Sequence, residues 1–265
     1  MLNDFWFRQS SLITNLSVHL ICTFVFLLNP FIVSSAEQIS LKSLTNDRTH
    51  HMGGKLTYSI KLAGVRAGIQ TITIGQETEW KGKKVYPLTS FETSTGLVER
   101  FYRFRADRLT YIDTNHLGPI FHRRSIEDRK YHATVEVYYD YRDQIVTHNK
   151  NGKITKTALI EGCQDELSWI YFLCHHPLKI GFSYNFPLLS KSNIRQATFK
   201  VTKETIKCRL LGKIRTLVIT SESTRRKIWL SDDNRRIPVR IEAKVRVGRL
   251  VATLRKIEPL TQRNQ

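Results

Sequence analysis

Between residues 54 and 258 apolar and polar side chains repeatedly alternate one by one. Leu56, Tyr58, Ile60 and Leu62 fall on one side of an extended chain, with Lys55, Thr57, Ser59 and Lys61 on the other. The same period returns at Tyr131, Ala133, Val135, Val137 and Tyr139, set against His132, Thr134, Glu136, Tyr138 and Asp140. It is clearest where Ile237, Val239, Ile241, Ala243, Val245 and Val247 oppose Pro238, Arg240, Glu242, Lys244 and Arg246. One dry and one wet face is the habit of antiparallel sheets. The turns agree: Asn151-Gly152 carries the two residues a type I′ hairpin favours, and Val247-Gly248-Arg249 reverses the chain before another apolar run. The pattern predicts a mainly β protein, a single strongly curved antiparallel sheet or open barrel of about ten strands in meander order. One or two short helices pack on it.

Two segments break the period. In 165–174, Leu167, Ile170, Tyr171 and Cys174 recur at helical spacing, Asp165 is placed to cap the start, and Pro177 follows the end. Ser168 lacks the glycine-flanked elbow of an exposed nucleophile and reads as a helix or helix–sheet contact. A shorter helix is expected within 95–105. Asp232 and Asp233, in a Ser-Asp-Asp-Asn run, are turn residues rather than an acid pair.

The N-terminus changes the picture. An apolar run from Val18 to Leu28 follows Arg8 and precedes Pro30 and Ser34-Ser35-Ala36, the outline of a secretory signal peptide over residues 1–36. It is about half the length needed to span a bilayer. Residues 37–53 then read as a flexible lead-in, 54–258 as one β domain and 259–265 as a tail. The whole chain carries 42 Lys and Arg against 23 Asp and Glu, and losing Arg8 and Asp4 with the leader keeps the balance at +19. In a bacterial envelope such a charge meets anionic lipid and acidic glycans rather than nucleic acid. Arg225, Arg226, Lys227, Arg235 and Arg236, with Lys81, Lys83 and Lys84, are the anionic-surface candidates. Cys163, Cys174 and Cys208 remain after cleavage. A helix over 165–174 would hold Cys163 and Cys174 about 15 Å apart, beyond the roughly 7 Å Cα limit for a bridge. Either a disulfide uses Cys208, or all three are buried thiols.

Three runs carry a family resemblance. They are KIWLSDDNRRIPVRIEAKVRVGRLVATL (227–254), DELSWIYFL (165–173) with Leu178-Lys179-Ile180-Gly181, and KLTYSIKLAGVRAGIQTITI (55–74). Together they resemble the exported bacterial family called domain of unknown function 3108. The resemblance implies an exported, mostly antiparallel β protein, with Gly181 and Pro238 among its structural positions. It implies no activity. More distantly, such curved sheets closed by helices are similar to the lipoprotein-carrier fold of the LolA and LolB kind. The longer, basic turn Cys208-Arg209-Leu210-Leu211-Gly212-Lys213 departs from the family's short hairpin.

No nucleophile–base pair, phosphate-cradling glycine loop or metal-ligand spacing stands out; the pairs His50-His51 and His175-His176 lack such spacing. The expectation is therefore a non-enzymatic, periplasmic envelope protein without a cofactor. Tyr58, Phe101, Tyr102, Tyr139, Tyr171 and Trp229 are assigned to the inward face, where a curved sheet could enclose an apolar or lipid-like ligand. The alternative is a structural or adaptor protein that binds another envelope protein, acidic wall material or an anionic membrane surface.

Overall fold

The computed structural model describes residues 54–129, 131–245 and 248–259. The expected leader, lead-in, His50-His51 and nearly all of the tail lie outside the described residues. Along the chain run β1 (Gly54–Leu62), β2 (Val65–Ile74), β3 (Thr78–Trp80), β4 (Lys83–Ser94), α1 (Gly96–Phe101), β5 (Phe104–Asp113), β6 (Pro119–Asp128), β7 (Tyr131–Asp140), β8 (Ile145–Lys150) and β9 (Lys153–Ala158). Then follow α2 (Ser168–His175), β10 (Ser183–Ser190), β11 (Asn193–Cys208), β12 (Gly212–Ser221), β13 (Arg226–Ser231), β14 (Pro238–Val245) and β15 (Gly248–Pro259).

All 15 strands join one antiparallel sheet, not about ten. Its spatial order is β10 to β15, then β1, β2 and β4 to β9, with β3 on the flank of β4. Part of the excess comes from β5 and β6, whose inward positions include charged and polar side chains that conceal the alternation. The sheet does not close by a strand pair. Beyond β9, Gln164 makes a single parallel bridge to Leu188 on β10 through two backbone hydrogen bonds, at 2.9 and 2.8 Å. A small apolar cluster seals this seam, with Val135, Val137, Tyr139 and Val146 on one side and Leu189 on the other.

Local chemistry follows the expected turns. Asn151 and Gly152 both adopt positive φ, +50° and +87°, as a type I′ turn requires. Pro238 opens β14 and gives its carbonyl to the Tyr58 hydroxyl at 2.7 Å. Asp233 accepts the Arg235 amide and the Ser231 hydroxyl within the β13–β14 turn, and its carboxylate holds the Arg235 guanidinium at 2.7 Å. Asp232 holds Lys203 at 2.8 Å. Gly181 has φ +87° ahead of β10.

The helix in the wall's concavity is α2. Seven of its eight side chains are buried, the mark of a core helix rather than a surface one. Trp169 stacks on Phe199, which stacks on Phe186, and Phe172 meets Phe186 edge-on. The regular helix begins at Ser168, three residues later than expected, yet Asp165 still caps it. Its Oδ1 accepts the Leu167 and Ser168 amides at 2.8 and 2.7 Å, and the Ser168 hydroxyl accepts the Asp165 amide in return.

Candidate functional site

The inward aromatics do not come together as one pocket. Tyr58 and Tyr171 are buried in the main core with α2, whereas Tyr139 belongs to the seam cluster. Trp229 is 4% exposed and belongs to the same main core, packed from the outer face of its strand. Strand alternation sets it opposite Arg226, whose guanidinium sits over Trp169 on the concave side. Lys227 and Arg240 cover the Trp229 ring, and its Nε1–H donates to Glu204 at 2.9 Å. Phe101 is 77% exposed on α1, because that six-residue helix stands outside the sheet with no buried side chain. Tyr102 is half-buried under Arg129. Cys163, Cys174 and Cys208 are free and buried. Burial pushes the Cys163 thiol up to about 12, so it behaves as a small apolar group.

Where α2 begins, the concave face turns polar. Parity along β5 sends Ala106, Arg108, Thr110 and Ile112 inward, and all four are buried. Arg108 pairs with Glu92 at 3.0 Å and with Glu166 at 3.1 Å. Glu166 also takes Arg124 at 3.0 Å and His122 Nε2 at 3.3 Å, while Gln70 donates to Glu92 at 2.7 Å. Burial alone would raise the Glu166 carboxyl, but Arg124 and Arg108, with His122, hold it well below the usual carboxylate range. Burial also lowers Arg226 to about 10, still cationic at neutral pH.

Thr110, His122 and Asp165 look at first like a nucleophile, base and orienting acid. The geometry denies it. Thr110 and Asp165 both approach the same ring nitrogen, Nδ1, at 2.8 and 3.5 Å, whereas a relay needs opposite nitrogens. Thr110 is also fully buried. The cluster is a structural ion network that ties the α2 entry to β4, β5 and β6. Sequence reading missed it, although the β5 parity was the available signal.

The outer surface is differently organised at its two ends. Antiparallel order brings the β1–β2, β6–β7, β12–β13 and β14–β15 turns and the α1 connection to one end. Exposed Arg66, Arg100, Arg103, Arg129, Arg225 and Lys244 gather there, with Glu99 and Glu222 as acids. Leu97 and Phe101, 74% and 77% exposed, are the most exposed large apolar side chains among the described residues, and they stand one turn apart on α1. An open recess of about 790 Å³ there is lined by Phe101, Arg100, Arg103 and Arg129, with Glu99 as its one acid. At the opposite end Asp113, Asp140 and Asp233 cap turns, and Arg235 and Arg236 pair with Asp233 and Asp232. Of the five candidates between residues 225 and 236, Arg226 is buried, Arg235 and Arg236 are committed to these turns, and Lys227 is half-buried over Trp229. Arg225 alone lies exposed at the basic end.

The architecture is that of an open, β-barrel-like sheet filled by a helix. By the family comparison, the chain belongs to the family described as "Protein of unknown function (DUF3108)", whose model matches residues 57–255. No curated protein matches it. Among solved structures it is similar to a beta-barrel-like protein of domain of unknown function DUF1849 from Brucella abortus. The TM-score is 0.54 at 10% identity, covering 80% of this chain and 99% of that one. At that identity the likeness is one of fold. Neither description carries an activity.

Proposed function

We propose that this is an exported, non-enzymatic protein of the cell envelope that docks its basic end on an anionic bilayer surface. The observation that carries the reading is Leu97 and Phe101, held out on α1 beside Arg100, Arg103 and Arg129. Apolar side chains rimmed by cations suit the interface between head groups and acyl chains, and each basic residue near such a surface contributes about 1 kcal/mol. Recognition of an acyl chain inside the sheet is less favoured, since α2 occupies the concave face where the chain would lie. The ion network supports a non-enzymatic role, because its histidine and carboxylates are consumed by one another.

Vesicle co-sedimentation tests this reading. Phosphatidylglycerol vesicles should bind the protein and release it as salt rises, while phosphatidylcholine vesicles bind poorly. Replacing Leu97 and Phe101 together by Ser should weaken binding by about tenfold or more, a difference of about 1.4 kcal/mol, with no change in thermal midpoint. Equal binding to both lipids, or an unaffected double variant, overturns it.

A further inference from the structure

A second recess lies on the outer wall, away from α1. It measures about 470 Å³ and crosses β2, β4, β5, β6 and β7, within the range of small-molecule sites. Two neighbouring cross-strand rows build most of it, and Ser90 and Arg108, buried between them with Arg108 already paired to Glu92 and Glu166, complete its lining. One runs Thr71, Phe91, Asp107, Ser125 and Thr134; the other runs Thr73, Thr89, Leu109 and Arg123. Phe91 is 41% exposed and Leu109 half-buried, so apolar surface lies next to hydroxyls. Among the described residues the side chains of Asp107 and Arg123 make no hydrogen bond or ion pair, unlike the acids and arginines of the interior.

We propose that this recess binds a neutral saccharide. A pyranose offers a C–H face and a ring of hydroxyls, each both donor and acceptor. Phe91 and Leu109 can carry the C–H face. Asp107 accepts from sugar hydroxyls, Arg123 donates to them, and the Thr89 and Ser125 hydroxyls do either. Opposite charges with no large net sign favour an uncharged ligand over a phosphate or a polyanion. The docking end contributes nothing to this recess, so the two readings stand or fall separately.

The test is calorimetric titration of the folded protein with trisaccharides of glucose, of mannose and of N-acetylglucosamine. At least one should saturate with a millimolar or tighter dissociation constant. Phe91→Ala should weaken that binding by about tenfold, about 1.4 kcal/mol, and Asp107→Asn should weaken it as well. Asp107→Asn keeps the side-chain shape at an exposed position and serves should the Phe91 variant lose stability. Lys156→Ala, outside the recess, should leave binding unchanged. Saturation by none of the three sugars, or full affinity in both recess variants, overturns the proposal.

Discussion

The two halves of the concave face are built on opposite principles. Under α2, strands β10 to β15 and β1 present an almost wholly apolar surface, with Phe199, Ile228, Ile241 and Leu254 buried in one core with the aromatic rings of the helix. Across β2, β4, β5 and β6 the same inward parity sets Gln70, Glu92, Arg108, Thr110, His122 and Arg124 beside the apolar Ile72, Ile74, Leu88 and Ile112. The first half is held by area removed from water, the second by charges that must match one for one. Apolar packing degrades gradually when a shape changes. A buried ion network fails abruptly when one member is removed, because the partners left behind are desolvated and unpaired.

Two near-isosteric substitutions sharpen that contrast. Glu166→Gln keeps the volume but takes the carboxylate from Arg124 and leaves Arg108 with Glu92 alone, so it should cost about 3–5 kcal/mol in chemical denaturation. A cost under about 1 kcal/mol would mean water already screens the cluster. Acidification separates the halves next. His176 stacks on Phe172 in the apolar half, and burial lowers it from 6.5 to about 4. The unfolded chain therefore takes up that proton first, and stability should decline as pH falls from about 6.5 towards 4. Glu166, with its folded value depressed, keeps its contribution until pH drops below the ordinary carboxylate value near 4.5. His176→Asn should flatten the decline between pH 6.5 and 4.5, and an unchanged slope would assign it elsewhere. The smallest effect belongs to Ile228→Val, about 0.5–1.5 kcal/mol for one lost methyl group in the apolar half. A loss as large as that of Glu166→Gln would erase the distinction.

The same contrast explains what was legible in the sequence. Strands β1 and β7 announce themselves because buried Leu, Ile, Val and Tyr alternate with more exposed polar residues, and β14 because its sequence alternates although Glu242 is buried. The α2 cap was readable from Asp165, although not its second task of reaching Thr110 at 3.1 Å. In β5 and β6 the inward residues are as polar as the outward ones, so hydropathy carries no period there and strands were undercounted. Partners such as Glu92 and Glu166 lie 74 positions apart in the chain, and only the curvature of the sheet brings both to Arg108. Trp229 reads as core and is buried in the main core, 4% exposed, but the cover that Lys227 and Arg240 give its ring was not legible. The outer recess was beyond reach, since no single strand of it is unusual.

Apart from β3, the spatial order of strands is the chain order rotated, with the gap between β9 and β10 and the two chain ends paired side by side, Gly54 opposite Pro259. Nearly every other pairing is a local hairpin that can form as soon as its two strands exist. The β1–β15 pairing must wait for the entire chain, and it joins the β1–β9 run to the β10–β15 run. A chain emerging from a translocation pore N-terminus first would assemble β1 to β9 as one growing meander. It would leave the first strand's outer edge unsatisfied until the last strand arrived. That interval is when an unpaired edge is most open to a wrong partner.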